Sequence, residues 1–186
     1  KSNFSEFLKE IIPVAEENNI KMALHPDDPP ISLFGLPRIV SNHEDYQFVL
    51  DQYKSHNNGI TFCTGSLASN FNNDIYKMFN HFKDKIHFIH LRNVTIEKDN
   101  ISFIESDHLE GDIDFVKIIN MILIEEKKRK ENNQDYHIPM RPDHGHSLLD
   151  DKKKKLNPGY SCIGRMKGLA EIRGIIKALN NEQSQN

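Results

Sequence analysis

Few cysteines, no long apolar run and no surplus of positive charge set the first limits on this 186-residue chain. Two cysteines, Cys63 and Cys162, are too few to staple a domain of this size. A reducing compartment is the default for such a chain, so a cytoplasmic location is expected. The net charge of −3 creates no overall field that would draw nucleic acid or an anionic membrane. The one basic run, Lys152–Lys155, is short and lies between Asp150-Asp151 and Asn157-Pro-Gly159, which reads as a solvated loop. No stretch approaches the ~20 apolar residues of a membrane span. The opening residues, Lys1-Ser-Asn-Phe4, lack the charged and apolar regions of a signal peptide, and with no initiator Met the true N-terminus is expected to lie further upstream. Also missing is a Gly-x-Gly-x-x-Gly after the first strand, which removes local support for a dinucleotide fold.

What the chain does have is ten histidines, much Asn and Lys, and a repeating alternation of strands and helices. Phe4, Phe7, Leu8, Ile11, Ile12 and Ala15 recur at helical spacing, with Ser2 or Asn3 as the cap, and predict a helix over 4–19. Ile20–His25 reads as a short strand stopped by Pro26, Pro29 and Pro30. A helix over 43–55, a strand Gly59–Cys63, a helix over about 72–82 and a strand Ile86–Leu91 follow. After an excursion over 93–111 come a helix Ile113–Lys130, a strand Tyr136–Arg141 made irregular by Pro139, and a helix over 164–180.

The order α(βα)₄ implies an α/β fold with a parallel sheet, either an open doubly wound sheet or part of a barrel. The notable polar residues fall at the C-terminal ends of the four strands: His25, Cys63, His90, and the cluster Arg141-Pro-Asp-His-Gly-His146. Barrel enzymes build their active sites there, so the expected fold is a (β/α)₈ TIM-type barrel. Four strands cannot close one, and a barrel needs about 250 residues. Residues 1–186 are therefore expected to supply about four C-terminal βα units of a single barrel domain whose N-terminal half is absent; a second copy covering the open edges is the other solution.

His25, Cys63, His90 and Asp143 offer two imidazoles, a thiolate and a carboxylate, each from a different strand end. Singly, each has a plainer reading: His25 as a loop histidine, Cys63 as a small buried hydrophobe. Together they form a mixed S, N and O donor set that suits a borderline transition metal better than Ca²⁺ or Mg²⁺. Zn²⁺, Mn²⁺, Fe²⁺, Co²⁺ and Ni²⁺ all remain open on chemistry alone.

Several motifs carry a family resemblance: Leu24-His-Pro-Asp-Asp-Pro-Pro30 with Phe34-Gly-Leu-Pro-Arg-Ile39, Phe62-Cys-Thr-Gly-Ser66, His90-Leu-Arg-Asn-Val94, and Phe103-x-Glu-x-x-His108-x-x-Gly-Asp112. Met140-Arg-Pro-Asp-His-Gly-His146, Asn157-Pro-Gly-Tyr160 and Ile163-Gly-Arg-x-Lys-Gly-Leu-Ala-Glu-x-Arg-Gly174 complete the series. In this order, from about residue 22 to 174, the chain resembles mannonate dehydratase. The resemblance implies a barrel related to the xylose-isomerase-like metal enzymes. It also implies dehydration of D-mannonate to 2-keto-3-deoxy-D-gluconate in hexuronate (glucuronate) breakdown. The implied cofactor is Mn²⁺, with Fe²⁺, Co²⁺ and Ni²⁺ as alternatives. Carried over, the metal ligands are His25, Cys63, His90 and Asp143, and the acid–base pair is His144 and Tyr160. Without the resemblance, Tyr160 reads as a turn residue after Asn157-Pro-Gly.

The reaction removes the C2 proton, α to a carboxylate, and expels the C3 hydroxyl, so it needs a base, an acid and a means of stabilising charge. Histidine as a residue type has an unperturbed pKa of ~6.5, near working pH, which makes His144 a natural candidate for proton transfer. Arg92 and Arg165 are candidate ligands for the substrate carboxylate. His146, Glu105 and His108 are candidates for sugar contacts, and Asp27-Asp28 for orienting His25 or capping a turn. The expected partners are a small-molecule sugar acid and a second copy in a homodimer, with neither nucleic acid nor membrane. Two other readings are another metal-dependent sugar isomerase or epimerase, and an inactive half-barrel fragment.

Overall fold

The spacing that predicts the helices also buries their apolar faces. The computed structural model describes residues 1–183. The elements run α1 (Ser2–Glu17), β1 (Met22–Leu24), α2 (His43–Gln52), β2 (Asn58–Cys63), α3 (Thr64–Ala68), α4 (Ile75–Phe82) and β3 (Ile86–His90). They continue with β4 (Asn93–Ile96), β5 (Phe103–Ser106), α5 (Phe115–Glu131), β6 (Met140–Arg141) and α6 (Cys162–Gln183). One sheet has the order β1-β2-β3-β6, with β1 and β2 paired in parallel; β4 and β5 form a separate antiparallel pair. Helices alternating with strands make this an α/β fold with a parallel sheet, as the spacing predicts. The chain divides into two compact units, one ending at Ile89 and the other beginning at His90, so the boundary falls inside β3.

In the first unit, α1 buries Leu8, Ile12 and Ala15, and α4 buries Ile75, Met78, Phe79 and Phe82. Every residue of β2 is buried, as expected for a parallel strand covered on both faces. Caps fix where helices begin: Asn42 accepts from the Asp45 N–H at the start of α2, and Asp74 from the Lys77 N–H at the start of α4. In the second unit, Ile118, Ile119 and Ile122 of α5 are fully buried, with Leu91 and Val94. Asp114 caps α5 by accepting from the Lys117 N–H.

Three local expectations need correction. The excursion 93–111 holds the β4–β5 hairpin, in which Val94 lies opposite Glu105. The expected strand Tyr136–Arg141 shrinks to Met140–Arg141. Pro139 has no N–H to give a ladder, and the Ile138 N–H turns to Glu126 Oε1 on α5, 2.8 Å away. Finally, a short helix, α3, follows Cys63 directly.

Candidate active site

β1 ends at Leu24, so His25 is the first residue beyond its C-terminal end. Its Nδ1 lies 2.6 Å from the Pro26 carbonyl oxygen. A carbonyl only accepts, so Nδ1 carries the proton and Nε2 presents its lone pair; ligating histidines are commonly oriented this way. Cys63, the last residue of β2, is fully buried, and the Ser66 hydroxyl donates to its sulfur at 3.1 Å. His90 closes β3 and is 8% exposed. One ligand atom from each of His25, Cys63 and His90 lies within 4.8 Å of the others. Strand-end positions far apart in sequence thus meet.

Asp27 is occupied elsewhere. It accepts from the Val40 N–H at 2.7 Å and gives its own N–H to the Val40 carbonyl, which ties down the Pro-rich loop after β1. Tyr46 is a buried neighbour the sequence did not flag. Burial first, and then the negative charges of Cys63 and Asp27, push its phenol well above the ordinary tyrosine range. Its hydroxyl donates to the Thr61 carbonyl.

From the cluster after β6, Asp143 faces His90. Asp143 is 6% exposed, with Oδ2 3.6 Å from His90 Nδ1 and Oδ1 accepting from Arg141 Nη2 at 2.8 Å. Asp143 takes a left-handed φ of 62°, which Asp tolerates better than most residues. His144 Nδ1 is 3.1 Å from Glu105 Oε2, and its Nε2 is 3.9 Å from Asp143 Oδ2. Gly145 is needed because the chain passes close to α6: a Cβ there would stand 2.5 Å from the Arg165 nitrogen. The Gly145 N–H also bonds the Gly159 carbonyl, which sets Tyr160 beside the cluster. The Tyr160 and His144 rings meet edge-on with centroids 5.3 Å apart, and the Arg165 guanidinium lies 5.7 Å from the Tyr160 ring centre.

A cavity of about 450 Å³ is lined by Glu105, His144, Gly145, His146, Ser147, Pro158 and Gly159. A second, of about 210 Å³, is lined by Arg141, Asp143, Cys162 and Arg165 among others. His146 is exposed at the first, and Tyr160, next in sequence to Gly159, is 47% exposed. Arg92 is 4% exposed and grips Glu105 through two nitrogens, Nε to Oε1 at 2.9 Å and Nη2 to Oε2 at 2.9 Å. Burial alone would raise the Glu105 pKa. Hydrogen bonds from His144 and Arg92, with the Arg92 charge, outweigh it and hold the carboxyl below its ordinary range. His108 is 3% exposed; its Nε2 donates to the Pro142 carbonyl at 2.9 Å, and its ring packs edge-on against Phe115.

The structure therefore gathers His25, Cys63 and His90 in one cluster. Asp143, His144, Glu105 and Arg92 form a second set of contacts that begins at His90. His108 is set into the packing. Sequence reasoning missed Asn93, which bonds the His108 and Ile113 carbonyls and the Ile113 N–H and so fastens the hairpin. The signal was present, as polar Asn93 sits between apolar Leu91 and Val94 with Gly111 later in the loop. A Cβ at Gly111 would stand 2.8 Å from the Val94 carbonyl oxygen.

The family profile described as D-mannonate dehydratase (UxuA) matches residues 1–186. The chain is 50% identical to mannonate dehydratase 2 of Agrobacterium fabrum over 182 residues, 98% of this chain and 46% of that protein. It is 52% identical to a mannonate dehydratase of Rhizobium meliloti over 179 residues, 95% of this chain and 44% of that one. It thus spans about half the length of the curated relatives it matches. Among solved structures, the mannonate dehydratase of Streptococcus suis serotype 2 superposes with a TM-score of 0.86 at 36% identity, covering 98% of this chain and 50% of that one. A D-tagatose 3-epimerase-like protein matches with a TM-score of 0.58 at 19% identity over 96% of this chain and 55% of that one, a likeness of fold.

Proposed function

The chain belongs to the D-mannonate dehydratase family, and from that premise we propose that it carries the metal-binding and acid–base residues for dehydrating D-mannonate to 2-keto-3-deoxy-D-gluconate. In this reading residues 1–186 are the C-terminal part of a single (β/α)₈ barrel. The observation that carries the proposal is the meeting of His25, Cys63 and His90, with ligand atoms within 4.8 Å of one another. Donors bound to one ion at about 2.0–2.3 Å stand at most about 4.6 Å apart, so small side-chain rotations bring this cluster within reach of a single cation. The carbonyl-oriented imidazole of His25 also fits a ligating role. Asp143, beside His90, is the proposed carboxylate donor.

The mixed S, N and O donors suit a borderline transition metal, and the family resemblance makes Mn²⁺ the proposed cofactor, with Fe²⁺, Co²⁺ or Ni²⁺ as substitutes. A divalent cation held there supplies Lewis-acid stabilisation of the negative charge that builds on the substrate as C2 loses its proton. His144 and Tyr160 divide the proton transfers: one takes the C2 proton, and the other protonates the departing C3 hydroxyl. Their ring contact supports joint action on one substrate. His146 and Arg165, each lining a cavity, are the proposed contacts for sugar hydroxyls and the substrate carboxylate. The proposed setting is hexuronate catabolism in the cytoplasm, by a homodimer. Among the described residues no helix is long and apolar enough to cross a membrane.

Full-length protein given D-mannonate and Mn²⁺ should release a 2-keto-3-deoxy acid one water lighter than the substrate. A product of unchanged mass would instead identify an isomerase or epimerase, and no product with any of the four metals would overturn the reading.

A further inference from the structure

Arg92, Glu105 and His144 were each read from the sequence as separate candidates around a substrate. The structure joins them in one line of charge-assisted hydrogen bonds. Arg92 immediately precedes β4, and Glu105 lies on β5 opposite Val94, so the hairpin brings the pair together. The guanidinium takes both carboxylate oxygens, and Oε2 also faces His144 Nδ1 at 3.1 Å. On its other side the imidazole is backed by Gly159, where a Cβ would lie only 3.2 Å from the ring.

Resting on the proposed dehydratase reading, we infer that Glu105 is a positioning residue: its carboxylate holds His144 in the Nδ1–H tautomer, and Arg92 holds the carboxylate. An ionised carboxylate only accepts, so Nδ1 must donate, and in the neutral ring the lone pair is then on Nε2. The bonds and charge that keep Glu105 ionised support this assignment. Nε2 is the nitrogen on the side of Asp143, 3.9 Å from its Oδ2, and so is the one that exchanges a proton with substrate. The hairpin that sequence reasoning treated as an excursion thus has a chemical purpose: it delivers the group that sets the tautomer. Arg92, with its two nitrogens engaged by Glu105, acts through that carboxylate.

The substitution Glu105→Gln tests this in the full-length protein. Arg92 offers only donors, so the carboxamide must turn its oxygen to Arg92 and its NH₂ to His144. That inverts the bond at Nδ1 and drives the ring to the Nε2–H tautomer. Nitrogen-15 NMR of labelled histidines, with His144 assigned through His144→Gln, should show Nδ1–H in the wild type and Nε2–H in E105Q. With D-mannonate, E105Q should lose about 10²–10⁴-fold in kcat, the range of a misdirected acid–base group, with KM within about threefold. A large rise in KM with kcat preserved would show that Glu105 binds the sugar directly and would overturn the inference. So would an Nε2–H tautomer in the wild type. Once His144 is assigned, the wild-type spectrum needs neither turnover nor E105Q, so it decides the tautomer even if mannonate is not the substrate or E105Q fails to fold.

Discussion

Gly168 lies in α6 directly against the His108 ring. An added Cβ would stand 2.6 Å from His108 Nε2 and closer still to Cε1 and Nδ1. His108 cannot yield easily, being 3% exposed and bonded to the Pro142 carbonyl. Gly168→Ala therefore has opposing effects. Helix propensity favours alanine by about 1 kcal/mol. Overpacking costs about 1–3 kcal/mol, and expelling the imidazole forfeits a hydrogen bond worth about 0.5–1.5 kcal/mol. The net expectation is destabilisation of about 1–3 kcal/mol. Gly174 provides an internal control in the same helix: a Cβ there would meet nothing within 4 Å. Gly174→Ala should stabilise by about 0.5–1 kcal/mol. Urea unfolding followed by circular dichroism gives both values. Opposite signs support His108 as a fixed strut between the hairpin segment and α6. A neutral or stabilising Gly168→Ala would refute it and return His108 to the list of groups available to a sugar.

Cys63→Ala should lower bound metal, measured by mass spectrometry of the protein after exhaustive dialysis, because it deletes the sulfur donor. His144→Ala should keep its metal and lose turnover; loss of both would place His144 in the metal site instead. Glu105 has its pKa depressed in the folded state, so it contributes stability that is fully present above an ordinary carboxylate pKa of about 4.3. That contribution is lost as pH falls through the lower folded value. The stability gap between wild type and Glu105→Gln, measured by thermal melting, should therefore hold steady above the ordinary carboxylate pKa of about 4.3 and shrink as pH falls below it. A gap independent of pH contradicts the Arg92 and His144 contacts.

Strand ends were legible because two patterns coincided. A short apolar run stopped by Pro26 marks where β1 ends, and the histidine at the stop is the one that meets Cys63 and His90. The same logic failed at residues 136–141, where apolar Ile138 looked like strand but its N–H is taken by Glu126 on α5. Single-residue patterning does not reveal which partner claims a backbone donor. The β4–β5 hairpin was hidden for a related reason: its strands have four residues each, too short for alternation to stand out. Its Asp99-Asn100 turn, with Asn100 at φ 56°, was the available clue. Glu105 and Arg92 were picked out as reactive residue types, but their pairing depends on hairpin register.

Metal dependence of mannonate turnover is the most direct test of the proposed site. Full-length protein stripped by a chelator should lose D-mannonate dehydration and regain it on addition of Mn²⁺. Cys63→Ala treated in the same way should regain much less at the same Mn²⁺ concentration. Turnover that survives chelation, or a Cys63→Ala protein that recovers fully, would contradict a catalytic cation held by His25, Cys63 and His90.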